Sequence, residues 1–219
     1  MTGGRPASPR RSVLSQPWSR VEFASLDFEA TGLDFERDRI ISFGVVPVRG
    51  GRVEVGESVY QLVDPGEVTS SPEAVTVHGL RPIDLRGAPS VEAAKLALGA
   101  AIEGRFLVTW WAGVEAAFLN KLFGGGVRSW NKRAVDVRQL MLALEGDEAR
   151  QLTLTQAAER FGVPVASPHH ALDDALVTAQ LFLVTASKLA ERNRGSVKEL
   201  LRPAIAPPPP VLTRPRAPM

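Results

Sequence analysis

The sequence contains no cysteine. This absence excludes a disulfide-stabilised scaffold, a thiolate metal site and a cysteine nucleophile, and it fits the reducing cytoplasm, which is the location that we predict. No apolar run approaches the roughly 18 residues of a membrane-spanning helix, so no membrane partner is expected. The N-terminus carries arginine but no apolar stretch of the kind found in secretory signals. The remaining composition, with 44% hydrophobic and 23% charged residues in 219, is that of an ordinary globular protein.

Charge is distributed unevenly along the chain. Residues 1–20 hold four arginines and no acid, and residues 191–219 hold six basic and two acidic residues. The segment 21–190 therefore has a net charge of −6. An acidic body argues against a wholly basic clamp around nucleic acid and suits a body that gathers carboxylates to hold cations. The basic ends either contact phosphates or are simply solvated.

Composition also divides the chain into three parts. Residues 1–20 are rich in glycine, proline, serine and arginine, which predicts a disordered basic tail. The proline-rich end predicts a flexible C-terminal tail over residues 196–219. We therefore expect one folded domain at 21–195.

Hydrophobic periodicity predicts a mixed α/β sheet flanked by helices. Three strands come first as an antiparallel meander, and two parallel strands then alternate with helices. A loop with a helical turn is expected at 64–75. Strands are expected at 21–28, 39–48, 53–63, 105–110 and 134–137. Helices are expected at 90–102, 114–123, 138–145, 153–163 and 171–192.

Two acids stand together at the end of the first predicted strand, in LDFEATGL at 26–33. Asp27 and Glu29 lie at positions i and i+2, so an extended chain places both side chains on one face of the sheet. Two carboxylates at such a distance repel unless a proton or a cation lies between them. Mg2+ and Mn2+ prefer oxygen ligands, so the pair predicts a divalent-cation site.

A second group of polar residues, SPHHALDDALVTAQLF at 167–182, begins the last predicted helix. His169 lies in the lead-in loop and Asp174 lies in the first helical turn, where a helix start favours an anion. A histidine beside a carboxylate and a metal can act as a general base on water. The two groups together predict a hydrolytic metal site.

Four stretches of the chain resemble motifs of the DEDDh-type 3′–5′ exonucleases, a family of the ribonuclease H-like superfamily that includes the epsilon-type proofreading subunit of bacterial DNA polymerase III. LDFEATGLD is similar to the first motif, and HGL at 78–80 is similar to a signature that follows the third strand. VTWWAGVEAAFLNKLF at 108–123 falls where the second motif belongs. HHALDDA at 169–175 is similar to the third motif, a histidine and an aspartate five positions apart. The resemblance covers residues 21–190 and implies a ribonuclease H-like five-stranded sheet.

The resemblance implies an activity and a set of roles. It implies two-metal hydrolysis, with Mg2+ or Mn2+, of the terminal phosphodiester at a nucleic acid 3′ end, with release of nucleoside monophosphates. Asp27 is expected to bridge both ions, Glu29 and Asp174 to complete the first, and Glu115 to bind the second. His169 is expected to take the proton of the attacking water. The residues expected to contact the terminal nucleotide are Thr31, Gly32, Leu33, His78 and Trp111.

The second motif departs from the family pattern. Aligned on Phe118 and Leu119, the chain has Trp110 and Trp111 where the family has His-Asn, and Glu115 where it has aspartate. Glutamate keeps the charge but adds one methylene, which changes the reach of the carboxylate at a site where Mg2+ geometry is demanding. The two tryptophans are either core packing or, for Trp111, a platform on which a base stacks.

Several alternatives stay open. DNA is the preferred substrate. RNA 3′-end trimming stays the alternative, because the sequence does not show whether a 2′-hydroxyl is recognised. A catalytically weak nucleic-acid-binding or polymerase-associated module is the alternative outside the enzymes, since the second-motif aspartate is Glu115. A DNA polymerase is a possible partner through the C-terminal tail. His170 and Asp173 lie outside the family spacing, so no role at the site is expected for them.

Overall fold

The strands of the chain pair into one mixed sheet in a computed structural model that describes residues 4–201. Along the sheet the order is β3-β2-β1-β5-β6, and β4 pairs with β2 beyond the end of β3. The first strands are antiparallel, whereas β1, β5 and β6 run parallel to one another. This confirms the predicted mixed sheet. The strands are β1 Phe23–Ala30, β2 Ile40–Arg49, β3 Arg52–Val53, β4 Val59–Leu62, β5 Phe106–Thr109 and β6 Ala134–Asp136.

The third strand of the meander, predicted as continuous over 53–63, is interrupted. A single 3-10 turn at Val55–Glu57 separates β3 from β4, and both pieces pair with β2. The turn contains Gly56, which has no side chain to pack on a sheet. Glu57 leaves the strand direction and makes an ion pair of 3.0 Å with Arg49. The alternating pattern therefore predicted the pairing correctly but missed the interruption.

Helices cover both faces of the sheet. One face carries α2, α3 and α4 around the fully buried indole of Trp130. The other carries α5, α6 and the 21-residue helix α7. The patterns predicted α2, α3, α5, α6 and α7, but neither the short α4 nor α8. The helices are α1 Pro72–His78, α2 Val91–Ala101, α3 Ala112–Phe123, α4 Val127–Asn131, α5 Val137–Glu145, α6 Leu154–Phe161, α7 Ala171–Glu191 and α8 Val197–Leu200.

The start of α7 lies directly on strand β2 at Gly44. A Cβ atom at Gly44 would lie 2.5 Å from the carbonyl carbon of Ala171, which is far inside van der Waals contact. Gly44 is also the register partner of Asp27 on the neighbouring strand. The missing side chain therefore allows α7 to begin beside the strand that carries Asp27.

The segment before β1 differs from the predicted disordered tail over residues 4–20. Trp18 is 7% exposed, and its ring packs edge-on against Phe182 of α7 with a centroid distance of 5.4 Å. Its backbone N–H donates to the carbonyl of Gly195 at 3.0 Å, and the N–H of Val197 donates to Gln16 at 3.0 Å. The segment's average composition concealed the buried indole that anchors it, together with Val13 and Leu14, which pack against the same core.

The predicted C-terminal tail likewise begins too early. Residues 196–201 include the buried side chains of Val197 and Leu200 in α8, so they pack on the body. The proline-rich remainder of that tail, 202–219, lies outside the described residues. Outside these two packed segments, the division into a domain at 21–195 and two tails stays a prediction. Among the helices within residues 4–201, none has both the length and the apolar character needed to cross a membrane.

The contact at Gly44 gives a prediction about stability. We expect Gly44→Ala to lower the free energy of unfolding by about 1–3 kcal/mol, because the added methyl overlaps the backbone of α7. Gly99→Ala is the matched control, since its Cβ would meet Phe123 at an ordinary 3.5 Å inside helix α2. That change should raise stability by about 0.5–1 kcal/mol. Urea unfolding measures both, and equal effects of the two variants would contradict the role of the close approach.

Candidate active site

Three carboxylates from two elements meet at the C-terminal end of strand β1. Asp27 and Glu29 point to the face covered by α7, and Asp174 comes from the first turn of that helix. Their carboxylate oxygens lie within 4.8 Å of one another. Glu29 and Asp174 are each only 9% exposed. The structure thus brings together acids that are up to 147 positions apart in sequence.

The loop before α7 fixes the orientation of Asp174. The backbone N–H of His169 donates a hydrogen bond to Oδ2 of Asp174 at 3.0 Å. His169 adopts a left-handed backbone with φ of 62°, which is uncommon for a residue other than glycine. This conformation turns the chain so that the His169 side chain is exposed at the rim of the acid cluster, while its backbone bonds within it.

Burial disfavours ionisation of all three acids, and repulsion between carboxylates adds to this effect at Asp27 and Glu29. Burial, and then the charge of Asp174, raises the pKa of Asp27 well above its usual value. Burial, and then the charges of Asp27 and Asp174, raises the pKa of Glu29 to about 9. Burial also raises the pKa of Asp174, although the hydrogen bond from His169 opposes that rise. The site therefore needs protons or cations at neutral pH.

Glu115 lies on the other side of Asp27, in the first turn of α3. Its side chain is 5% exposed, and its Oε2 atom is buried without a hydrogen-bond partner. Burial, and then the charge of Asp27, raises the pKa of the Glu115 carboxyl. Glu115 does not belong to the group of three carboxylates within 4.8 Å. The charge of Asp27 acts both on Glu115 and on Glu29, so Asp27 is the acid that connects Glu115 with this group.

Sequence reasoning missed Asp136, which stands at the end of β6 and begins α5. Its carboxylate accepts the backbone N–H of Ala112 at 3.0 Å and that of Gln139 at 3.1 Å. Burial raises the pKa of Asp136 to about 6, and its charge acts on Glu115. A parallel strand that ends in an acid was a usable signal, because the carboxyl ends of parallel strands lie at one edge of the sheet.

The other two histidines lie beside the acid cluster in different ways. His78 ends α1, and its Nδ1 accepts the backbone N–H of Leu80 at 3.0 Å. Burial, and then the charge of His169, lowers the pKa of His78, so the two imidazoles are within electrostatic reach of each other. His170 instead stacks on Tyr60 with a centroid distance of 4.4 Å. Its Nδ1 lies 3.6 Å from Asp173, so these two residues pair with each other beside the cluster.

The turn after β1 has its own hydrogen-bond network. The hydroxyl of buried Thr31 donates to Asp38 at 2.7 Å and accepts the N–H of Arg39 at 3.1 Å. A Cβ at Gly32 would lie 2.9 Å from Asp38 Cγ, so the bare backbone makes room for that carboxylate. Leu33 is 63% exposed. An apolar side chain at the mouth of an acidic site is available for contact with a nucleobase.

The two tryptophans of the second motif differ in their surroundings. Trp110 packs against the core beneath α7. Trp111 is partly exposed just before α3, with the Arg138 guanidinium 4.5 Å from its ring centroid. One face of Trp111 is therefore already covered by a cation, which leaves the rest of the ring for other contacts.

The donor set fits hard divalent cations. Asp27, Glu29 and Asp174 offer clustered carboxylate oxygens, and Glu115 Oε2 is a buried acceptor that no protein donor satisfies. Carboxylate oxygens are the ligands that Mg2+ and Mn2+ prefer. A cation between these acids would remove the repulsion that raises their pKa values.

Comparison with known proteins indicates the same family as the sequence motifs. A family model described as Exonuclease matches residues 25–182. A PolC-type DNA polymerase III of Thermotoga maritima is 31% identical over 166 residues, which are 74% of this chain and 12% of the relative. The DNA polymerase III subunit epsilon of Aquifex aeolicus is 28% identical over 179 residues, with 81% of this chain and 86% of the relative covered. The chain therefore spans only a small part of the polymerase but most of the epsilon subunit.

Solved structures share the fold. The nuclease domain of 3′hExo, described as a DEDDh family member bound to rAMP, aligns with a TM-score of 0.64 and 19% identity over 82% of this chain and 96% of that one. Escherichia coli Exonuclease I in complex with a dT13 oligonucleotide aligns with a TM-score of 0.66 and 14% identity over 79% of this chain and 42% of that one. The ribonuclease H-like architecture expected from the motifs is thereby confirmed.

The raised pKa values predict how stability depends on pH. Between pH 7 and 9 the Glu29 carboxyl holds a proton in the folded state, with a pKa of about 9, but not in the unfolded state. The folded state therefore binds more protons, and stability without divalent cations should fall as pH rises through this window. Asp136 does not contribute there, because its pKa of about 6 leaves it ionised.

Urea unfolding in EDTA at several pH values measures this decline. We expect Glu29→Gln, which cannot ionise, to make the decline shallower, while Asp27 and Glu115, whose pKa values burial also raises, keep part of it. Mn2+ at 100 times its dissociation constant should add about 2.7 kcal/mol and remove the decline. A wild-type stability that rises from pH 7 to 9 in EDTA would contradict the electrostatics described for the site.

Proposed function

The chain belongs to the exonuclease family, whose chemistry is the hydrolysis of phosphodiester bonds, and we propose that it is a metal-dependent 3′–5′ exonuclease. In this proposal it releases nucleoside monophosphates from single-stranded 3′ ends. The observation that carries the proposal is the meeting of Asp27, Glu29 and Asp174 within 4.8 Å, with raised pKa values and with His169 at the rim. A binding module would have no need for such a cluster, because its like charges destabilise the fold.

Two divalent cations, Mg2+ or Mn2+, suit the arrangement of the acids. Asp27, Glu29 and Asp174 would hold one, and Asp27 with Glu115 would hold the other. When bound, such ions lower the pKa of water and stabilise the charge that develops on the phosphate. Asp27 is the shared residue, since its charge acts on both Glu29 and Glu115.

His169 is the proposed general base. Its backbone is fixed by the hydrogen bond to Asp174, and its imidazole is exposed at the rim of the cluster. A base in this position can take the proton of a water molecule that attacks the terminal phosphate. The left-handed backbone at this residue supports the assignment, because strained conformations are retained where geometry matters for function.

The terminal nucleotide is proposed to lie against the turn at 31–33. Exposed Leu33 would contact the base, while Thr31 and Gly32 shape the turn through Asp38. His78 would contact the sugar or phosphate from α1, and Trp111 would stack with a neighbouring base. Stacking on aromatic side chains tolerates any base, which suits an enzyme that removes nucleotides regardless of sequence.

DNA is the preferred substrate in this proposal. Two relatives are named as a PolC-type DNA polymerase III and as the subunit epsilon of DNA polymerase III. RNA remains the second candidate, because a structure of similar fold is described as bound to rAMP.

Association with a DNA polymerase is proposed on the same grounds as the DNA preference. A cytoplasmic location remains a prediction from the cysteine-free composition.

The base and its carboxylate partner are tested by substitution. We expect His169→Ala and Asp174→Ala to abolish Mg2+- or Mn2+-dependent release of mononucleotides, because the first removes the proton acceptor and the second a cation ligand. The measurement is release from 3′-labelled single-stranded DNA, with a matched RNA strand in parallel. EDTA should abolish the wild-type activity.

His170→Ala is the matched control for the neighbouring position. His170 stacks on Tyr60, and its Nδ1 lies 3.6 Å from Asp173, which is outside the cluster of three acids, so the variant should keep its activity per folded molecule. Loss of activity in His170→Ala with activity retained in His169→Ala would show that the assignment of the base is wrong. Equal rates on RNA and DNA would remove the DNA preference while leaving the nuclease proposal intact.

Glu115 is tested by changes of length and of charge. If its carboxylate binds the second cation, Glu115→Asp should keep or raise activity, whereas Glu115→Gln should lower it by at least about tenfold, as loss of a ligand charge does. Both variants are compared by kcat in saturating Mn2+. Activity of Glu115→Gln equal to that of the wild type would exclude Glu115 as a ligand.

A further inference from the structure

Helix α3 carries Glu115 but has no cap of its own. It begins at Ala112, and its N-cap residue is Trp111, whose side chain makes no capping hydrogen bond. An indole offers one donor and no acceptor, so it cannot satisfy the free N–H groups at a helix start. The start of the helix that positions Glu115 is therefore held by something else.

Asp136 supplies the missing acceptor from another part of the chain. Its Oδ2 accepts the N–H of Ala112 at 3.0 Å, while its Oδ1 accepts the N–H of Gln139 in its own helix α5 at 3.1 Å. One carboxylate thus joins the starts of two helices. Only a carboxylate offers two acceptor oxygens for this purpose, because an asparagine would turn an NH2 group towards one of the two donors.

The sheet places Asp136 where it can reach α3. Its register partner on β5 is Thr109, three residues before Ala112. A second contact joins the same two helix starts, since Arg138 of α5 lies over the ring of Trp111. Glu115 follows Ala112 by three residues and so lies almost one helical turn further along the same side of α3. Anchoring Ala112 thereby fixes the rotation and depth of Glu115.

From this geometry we propose that Asp136 is a positioning residue for Glu115. Its hydrogen bond to Ala112 sets where the Glu115 carboxylate stands relative to Asp27, and thus the geometry of the second cation. The inference rests on the proposed function, because Glu115 matters as a ligand only in a metal-dependent enzyme. Asp136 itself contacts neither the cations nor the substrate in this account.

Two substitutions at Asp136 separate positioning from stability. Asp136→Ser keeps a side chain that can cap its own helix α5 but is too short to reach Ala112, whereas Asp136→Ala removes both bonds. We expect both to lower kcat in Mn2+ by about 10- to 100-fold per folded molecule, with little change in KM for the strand. The Ala variant should be the less stable of the two, yet no less active.

Ala112→Pro removes the same hydrogen bond from the donor side. Proline is well tolerated at the first position of a helix and has no N–H, and Asp136 stays intact in this variant. We expect a loss of kcat of similar size, and combination with Asp136→Ser should add little further loss. Thr153→Ala removes the cap of α6 instead, and it should lower stability without lowering kcat.

The outcomes are distinguished by measuring Mn2+ binding together with hydrolysis. Wild-type kcat in Asp136→Ser, or a loss of kcat in Thr153→Ala that matches its loss of stability, would overturn the positioning role alone. A wild-type chain that binds Mn2+ but hydrolyses no nucleic acid would overturn the proposed function, and weaker Mn2+ binding by Asp136→Ser would then still support positioning. A wild-type chain that binds no Mn2+ would overturn both.

Discussion

The carboxylates held at one end of the sheet repel one another, and the packing around them must offset that repulsion. Asp27, Glu29 and Asp174 share a space of less than 5 Å, and Glu115 is buried on the far side of Asp27. Burial adds to the cost, because water cannot screen the charges. A fold that keeps such a group needs stabilising free energy from other contacts. Here the two apolar layers between the sheet and its helices provide it.

Asp174 and Glu115 are each positioned by a residue that takes no part in the proposed reaction. On one side Gly44 lets the backbone of α7 come down onto β2, directly across from Asp27, so that Asp174 reaches the strand. On the other side Asp136 accepts the first N–H of α3, the helix that presents Glu115. The acids are therefore positioned by backbone contacts of two helix starts, which are more rigid than side chains on loops.

The sequence predicted the acids better than it predicted their supports. Asp27 and Glu29 could be assigned to one face because strand geometry has a period of two. Asp174 was chosen over Asp173 because its spacing from His169 resembles the family's third motif. Asp136 was missed because its partner Ala112 lies 24 residues away and has no polar side chain. The ordered segment at Trp18 was missed because one buried indole, held by a tertiary contact with Phe182, outweighs a disorder-prone composition. Gly44 was equally invisible, since only the packed structure shows what its side chain would meet.

We expect the acid group as a whole to hold protons when no cation is bound, and to release protons when a cation binds. Calorimetric titration with Mn2+ at pH 7, in two buffers of different ionisation enthalpy, tests it most directly. We expect binding with net release of protons, because the Glu29 carboxyl, with a pKa of about 9, is protonated before the ion arrives. Binding with no proton release would show that the acids are not protonated in the absence of a cation, and no binding at all would contradict the proposed cation site.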